Sequence, residues 1–150
     1  MRRGGAQLQG YFQGVARARY VIRRVFRAVD ECARARGLEP LSHQALIQIF
    51  GDPESRITVS GIAERLDVST ALASKLTKAL VERGLAARRD DSDDLRVSWI
   101  HATTAGASLL RSIDADVHIR VEEFARSLTH TQRSAALAIF AFYVGIPEER

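Results

Sequence analysis

The sequence predicts a mainly α fold with a small β-hairpin wing: a winged helix-turn-helix framed by long N- and C-terminal helices. Three observations carry this. Apolar residues recur at spacings of three and four over residues 7–36 and again beyond residue 104. Between them, two short helices, each opened by a Ser or Thr cap, are separated by about three residues. Directly after the second comes an alternating strand pattern interrupted by RRDDSDDLR, residues 88–96.

The first helix, 7–36, carries Leu8, Tyr11, Phe12, Val15, Ala18, Ile22, Val25, Val29 and Cys32 at helical spacing, and Gly37 follows as a C-cap glycine. A terminal helix of this length often packs against another chain. Pro40-Leu41-Ser42 opens a second helix, with Ser42 as its N-cap, Leu46, Ile49 and Phe50 inside, and Gly51-Asp52-Pro53 as its stop. Thr58 caps a short helix with inner face Val59, Ile62, Ala63 and Leu66; Asp67-Val68 connects it to a helix capped by Ser69, with Ala73, Leu76, Thr77 and Leu80 inward and Gly84 at its end.

At 100° per residue, Ala71, Ser74, Lys75 and Lys78 lie opposite that core stripe. Small, hydroxyl and basic residues suit close approach to a DNA major groove. The same composition also describes an ordinary solvated helix face. The next residues favour DNA: Leu85–Arg89 reads as a strand, Asp90–Asp94 as a turn and Leu95–Ala102 as the returning strand. A hairpin directly behind a helix-turn-helix is a wing. Thr103 or Thr104 then caps a long helix through Leu109, Leu110, Ile113, Val117, Val121, Phe124 and Leu128. Thr129-His130-Thr131-Gln132 is a capping box opening the last helix, with Ala136, Leu137, Phe140 and Val144 as apolar members.

Composition bounds the function classes. The 150 residues suit one domain, 1–150, with a winged lobe at 40–102 between helices at 7–36 and 104–146. The longest apolar run, AIFAFYVGI (138–146), is too short to span a bilayer, so no membrane partner is expected. The basic start MRRGGAQLQG lacks a following apolar stretch and predicts no secretory signal. A single cysteine fits a reducing cytoplasm. Residues 1–36 hold nine arginines against Asp30 and Glu31, whereas the remaining 114 hold 13 basic and 16 acidic side chains. Such a basic segment suits nucleic acid, a membrane surface or an anionic ligand.

From Gly84 to Gly106 the sequence GLAARRDDSDDLRVSWIHATTAG resembles the wing signature of the MarR family of bacterial transcription regulators. That signature runs roughly G-L-V-x-R-x-x-D-x-x-D-x-R followed by L-T-x-x-G. Gly84, Leu85, Arg88, Asp91, Asp94, Arg96, Thr103 and Gly106 fall in register without a gap. The order of elements over nearly the whole chain also resembles the family. Two positions depart from it: Leu95 stands where many members have a second arginine, and Ala102 where leucine is preferred.

The resemblance implies a homodimer whose terminal helices interlock, a palindromic double-stranded DNA operator with half-sites about one helical turn apart, and repression. It also implies release by a small aromatic or anionic ligand in a cleft between lobes, or by cysteine oxidation. The expected DNA-facing set is Ser69, Thr70, Ala71, Ser74, Lys75 and Lys78 on the helix and Arg88, Arg89 and Arg96 on the wing, with Arg96 reaching the minor groove. Asp94 is expected to orient a wing arginine. In this family the first helix helps line the ligand cleft. Tyr11, Arg17, Tyr20, Arg23 and Arg24, with Arg27, Phe12 and Phe26 alongside and His43 as a weaker candidate, therefore form the ligand set, for an aryl acid or its coenzyme A thioester. The competing reading for these arginines is solvation or ion pairing.

Other classes find less support. No nucleophile motif, phosphate loop or metal-ligand spacing appears, so neither an enzyme nor a cofactor is expected. A redox role for Cys32 competes with a packed one, and without a second cysteine packing is favoured. A winged helix that binds only protein would carry apolar residues at 71, 74, 75 and 78.

Overall fold

The computed structural model describes residues 4–94 and 96–146. The elements run α1 (Gly5–Ala35), α2 (Pro40–Phe50), α3 (Val59–Leu66), α4 (Thr70–Glu82), β1 (Ala86–Asp90), β2 (Ser98–Ala102), α5 (Thr104–Arg126) and α6 (His130–Tyr143). The order is that expected of a winged helix with long terminal helices. The chain divides into two compact units, residues 29–117 and the terminal helices outside them.

In the 29–117 unit, Leu38, Leu46, Ile49, Ile62, Leu80, Ile100 and Ile113 are almost wholly shielded from solvent and form one core with Cys32 and Ala33. Local chemistry starts and stops most of its helices as read from sequence. Thr58 accepts the Gly61 N–H at 3.1 Å, and Ser69 accepts the Leu72 N–H at 3.2 Å. Gly37 and Gly84 end α1 and α4 with φ of +73° and +69°, the left-handed backbone that glycine adopts without steric cost. Between α3 and α4, Asp67 takes the same region at φ 52°.

Three expectations change. Ser42 is not the N-cap of α2. The helix begins at Pro40, capped by Glu39 in extended geometry with no side-chain bond. Proline needs no N–H partner in the first turn and drives the preceding residue to be extended, so the start moves ahead of the serine. Phe50 is 53% exposed rather than packed inside. The hairpin is also shorter than read. β1 ends at Asp90, paired with Ser98, so the return strand starts at Ser98, not at Leu95, which lies outside the described residues. Local bonds replace the ladder there: Asp91 accepts from the backbone N–H groups of Asp93 and Asp94, and Asp94 from that of Arg96.

The hairpin gains a third backbone segment where Ile57 and Ile100 exchange backbone hydrogen bonds of 3.0 and 2.8 Å. Thr103 caps α5: its hydroxyl accepts the Gly106 N–H at 3.1 Å and donates to the Gly84 carbonyl at 2.7 Å.

In the other unit, the Thr129–Gln132 capping box forms in full at the start of α6. Arg19 of α1 donates to the Tyr143 hydroxyl at 2.9 Å, and Arg24 lies 5.6 Å from the Phe124 ring centre. Few apolar side chains find cover here. Phe12, Tyr20, Phe26, Ile119, Leu137, Phe140 and Phe142 are all more than half exposed.

Candidate nucleic-acid interface

The candidate interface is the exposed face of α4. Ala73, Thr77 and Leu80 hold the helix to the core, and Thr77 returns its hydroxyl to the Ala73 carbonyl at 2.8 Å. That anchoring leaves Ser69, Thr70, Ala71, Ser74, Lys75 and Lys78 exposed. Positions 71, 74, 75 and 78 form one stripe at i, i+3, i+4 and i+7. Lys78 makes a loose 3.8 Å pair with Glu82 on the same helix.

β1 brings one wing arginine alongside. Arg88 lines a shallow groove with Ser74, Thr77, Lys78, Val81 and Glu82. Arg89, its strand neighbour, points to the opposite face of the hairpin.

At the tip, Arg96 donates through Nε and Nη2 to the two carboxylate oxygens of Asp94, both at 3.0 Å, while its side chain stays 90% exposed. Both residues sit in the turn, where Asp94 also accepts the Arg96 backbone N–H at 3.0 Å. The Asp94 carboxyl is held below the usual carboxylate range by the Arg96 guanidinium and then by the Arg96 backbone N–H. Asp91 is held low too, first by the Trp99 indole N–H at 2.7 Å and then by the N–H groups of Asp93 and Asp94. Asp90 accepts the Ser98 hydroxyl. Three of the four acids thus carry defined structural bonds. Residues 57–102 balance Arg65, Lys75, Lys78, Arg83, Arg88, Arg89 and Arg96 against Glu64, Asp67, Glu82, Asp90, Asp91, Asp93 and Asp94. Attraction for phosphate must come from placement, not net charge.

A separate cleft of about 420 Å³ opens in the 29–117 unit, lined by Val29, His43, Ile47, Phe50, Gly51, Leu110, Arg111, Asp114 and Val117. His43 is 4% exposed, and burial lowers its imidazole pKa from the ordinary histidine range. Exposed Phe50 forms part of this apolar wall. Tyr11, Arg17, Tyr20, Arg23 and Arg24 belong to the terminal-helix unit, where all five are exposed. Tyr11 there lines a groove with Gly10, Gly14, Ala135, Ala138, Ile139 and Phe142. Sequence reasoning did not find Arg111 and Asp114, because a cleft wall depends on how helices pack. Cys32 is 3% exposed, a packed residue. Among the described residues no helix is long and apolar enough to cross a membrane, and no group of three His, Cys, Asp or Glu side chains could hold a metal ion.

An exposed helix of small and basic residues, set beside an antiparallel hairpin and braced by a capped partner helix, defines a winged-helix protein. Residues 36–96 match the model of the MarR family. No curated protein matches the sequence. Among solved structures, YusO of Bacillus subtilis is 20% identical and superposes with a TM-score of 0.70 over 97% of this chain and 100% of that one. Apo MarR of E. coli is 19% identical, with a TM-score of 0.70 over 86% and 93% of the two chains. A MepR mutant of S. aureus bound to an oligodeoxyribonucleotide is 17% identical, with a TM-score of 0.65 over 85% and 92%. The chain has the fold of MarR-family transcription regulators.

Proposed function

We propose that this protein is a sequence-specific DNA-binding regulator, acting as a homodimeric repressor on a palindromic operator. The observation that carries the reading is the exposed 71-74-75-78 stripe flanked by Arg88 and by Arg96 at the wing tip. In this reading α4 enters the major groove, Ser69 and Thr70 meet phosphate at its N-terminus, and Arg96 enters the adjacent minor groove. The MepR mutant supports the choice of DNA, since that structure is of the protein bound to an oligodeoxyribonucleotide. The uncovered apolar side chains of α1, α5 and α6 support a second copy as the partner of the terminal helices.

The effector is a small aromatic acid in the cleft that holds His43, with Arg111 at its wall as the cation for the acid group. A volume of about 420 Å³ suits an aryl acid or the acyl end of a thioester, not a whole coenzyme A.

The test is an electrophoretic shift with DNA from upstream of the protein's own gene, with and without aryl acids. A retarded band that excess unrelated DNA does not compete away supports the reading; equal competition by any duplex overturns sequence specificity. If all five basic residues of the set, Lys75, Lys78, Arg88, Arg89 and Arg96, neutralised phosphates in both lobes, log K against log salt would fall with a slope near −9. A shallower slope is expected, because Lys78 and Arg96 already face Glu82 and Asp94.

A further inference from the structure

Trp99 is the sole tryptophan of the chain and sits near the turn end of the hairpin, paired across it with Arg89. Its indole meets two charged groups from different segments. On one side its Nε1–H donates to Asp91 Oδ2 at 2.7 Å. The other oxygen of that carboxylate accepts the backbone N–H groups of Asp93 and Asp94, at 2.8 and 3.1 Å. The wing turn is therefore wound around one carboxylate that is tied to the tryptophan. On the ring face, the Arg56 guanidinium lies 4.3 Å from the centroid.

Arg56 belongs to the connection between α2 and α3, not to the wing. That connection is itself held. Ile57 pairs with Ile100, the Ser55 carbonyl lies 3.0 Å from His101 Nδ1, and Ser55 takes the left-handed backbone at φ 57°. Asp52 accepts the Glu54 N–H at 3.0 Å and pairs with Arg65 of α3 at 2.7 Å. A path thus runs from α3 through Arg65 and Asp52 to Glu54, whose carboxylate pairs with Arg56 at 3.0 Å, and on through Trp99 to Asp91 and the turn that carries Asp94 and Arg96. Unlike the surface ion pairs of the wing, it joins the helix-turn-helix to the hairpin tip.

We propose that Arg56, Trp99 and Asp91 form a latch that sets the position of the wing tip relative to the helix-turn-helix, making Arg56 and Asp91 positioning residues for DNA recognition. The DNA part of this role rests on the function proposed above. Physically, a two-stranded hairpin is marginally stable alone. Here its tip is held by the Asp91 carboxylate, which accepts the indole and two backbone N–H groups, by the Asp91 N–H to Val97 carbonyl bond at 2.9 Å, and by one cation–π contact. A tip held in place before DNA arrives loses less conformational freedom on binding.

The lone tryptophan makes the latch directly observable. Time-resolved fluorescence anisotropy of the free, full-length protein reads Trp99 motion on the nanosecond scale. Arg56→Gln removes the cation and Asp91→Ala removes the indole acceptor, while Arg56→Lys keeps a cation over the ring. Thermal melting of each variant reads the core separately. The latch predicts larger-amplitude Trp99 motion in Arg56→Gln and Asp91→Ala, recovery in Arg56→Lys, and melting temperatures near wild type. It also predicts operator affinity reduced roughly fivefold or more, the scale of one lost hydrogen bond. Unchanged anisotropy in both disruptive variants overturns the latch. Loosened tryptophan with unchanged operator affinity overturns the positioning role. If Asp91→Ala fails to fold, Arg56→Gln, changed at a side chain 40% exposed, decides alone. If the wild type shifts no DNA, the function reading fails, and the anisotropy of the free protein still decides whether the latch exists.

Discussion

Replacing Gly106 with alanine should destabilise the protein, although alanine is the better helix former. Gly106 lies in the first turn of α5, where its backbone is ordinary right-handed helix, so conformational freedom is not the reason for glycine. Space is. A Cβ there would fall 2.1 Å from the Leu85 carbonyl oxygen and 3.1 Å from its carbon, with Leu46 Cδ1 at 3.3 Å. Ordinary contact begins near 3.4 Å, so α5 and residue 85 would have to part by roughly 1.3 Å. Both are tied. The Leu85 carbonyl also accepts the Thr103 N–H at 3.3 Å, and the Thr103 hydroxyl holds the Gly84 carbonyl. Overpacking of this kind costs about 1–3 kcal/mol or more, against a helix-propensity gain of at most about 1 kcal/mol. With a backbone oxygen as the obstacle the cost falls at the upper end, a net loss of about 2 kcal/mol; for a chain of this length each kcal/mol moves the melting temperature by roughly 2–4 °C, so the midpoint should fall by about 4–8 °C. Thermal unfolding followed by circular dichroism at one fixed protein concentration measures this, with exposed Ala105→Gly as the comparison. A Gly106→Ala midpoint equal to or above wild type would refute the close-approach argument.

Asp94→Ala should weaken operator binding with little change in melting temperature, because it frees Arg96 from a bidentate pair without touching the core; tighter binding in the shift assay would mean the acid only repels phosphate. Lowering pH through the histidine range should destabilise the protein through His43. Burial depresses its pKa in the folded state, so its contribution is complete above the unfolded value of about 6.5 and is lost as pH falls toward the folded value. Urea titrations between pH 8 and 5 should show this slope in the wild type and a flatter one in His43→Leu. Leu137→Glu combined with Phe140→Asp should convert a dimer into a monomer of 16.6 kDa by sedimentation, since both side chains are more than half exposed on α6; a wild type that is already monomeric at micromolar concentration would remove the dimer from the reading.

The parts legible in the sequence are those decided by bonds a few residues long. Thr58, Ser69 and Thr129 cap their helices because a hydroxyl reaches the N–H three positions on. Gly37 and Gly84 end helices because only glycine turns left-handed without steric cost. The face of α4 follows from helical periodicity, and its exposure follows once Ala73, Thr77 and Leu80 are inward. Even within this range a local competitor can win: Pro40 displaced Ser42 as the signal for α2, and the Asp91 carboxylate shortened the returning strand.

What the tertiary structure alone decided involves residues far apart in the chain. Gly106 is glycine because residue 85 passes beneath it, and Arg56 covers Trp99 because Ile57 joins the hairpin. Phe50 lines a cleft with Arg111 and Asp114 because α2 and α5 both face it. The aspartates of RRDDSDDLR show both levels at once. Their clustering at a turn is a local property of the side chain. That Asp91 accepts from an indole eight residues away, and so ties the turn to the returning strand, depends on the hairpin register, because that pairing brings the two groups within hydrogen-bonding distance.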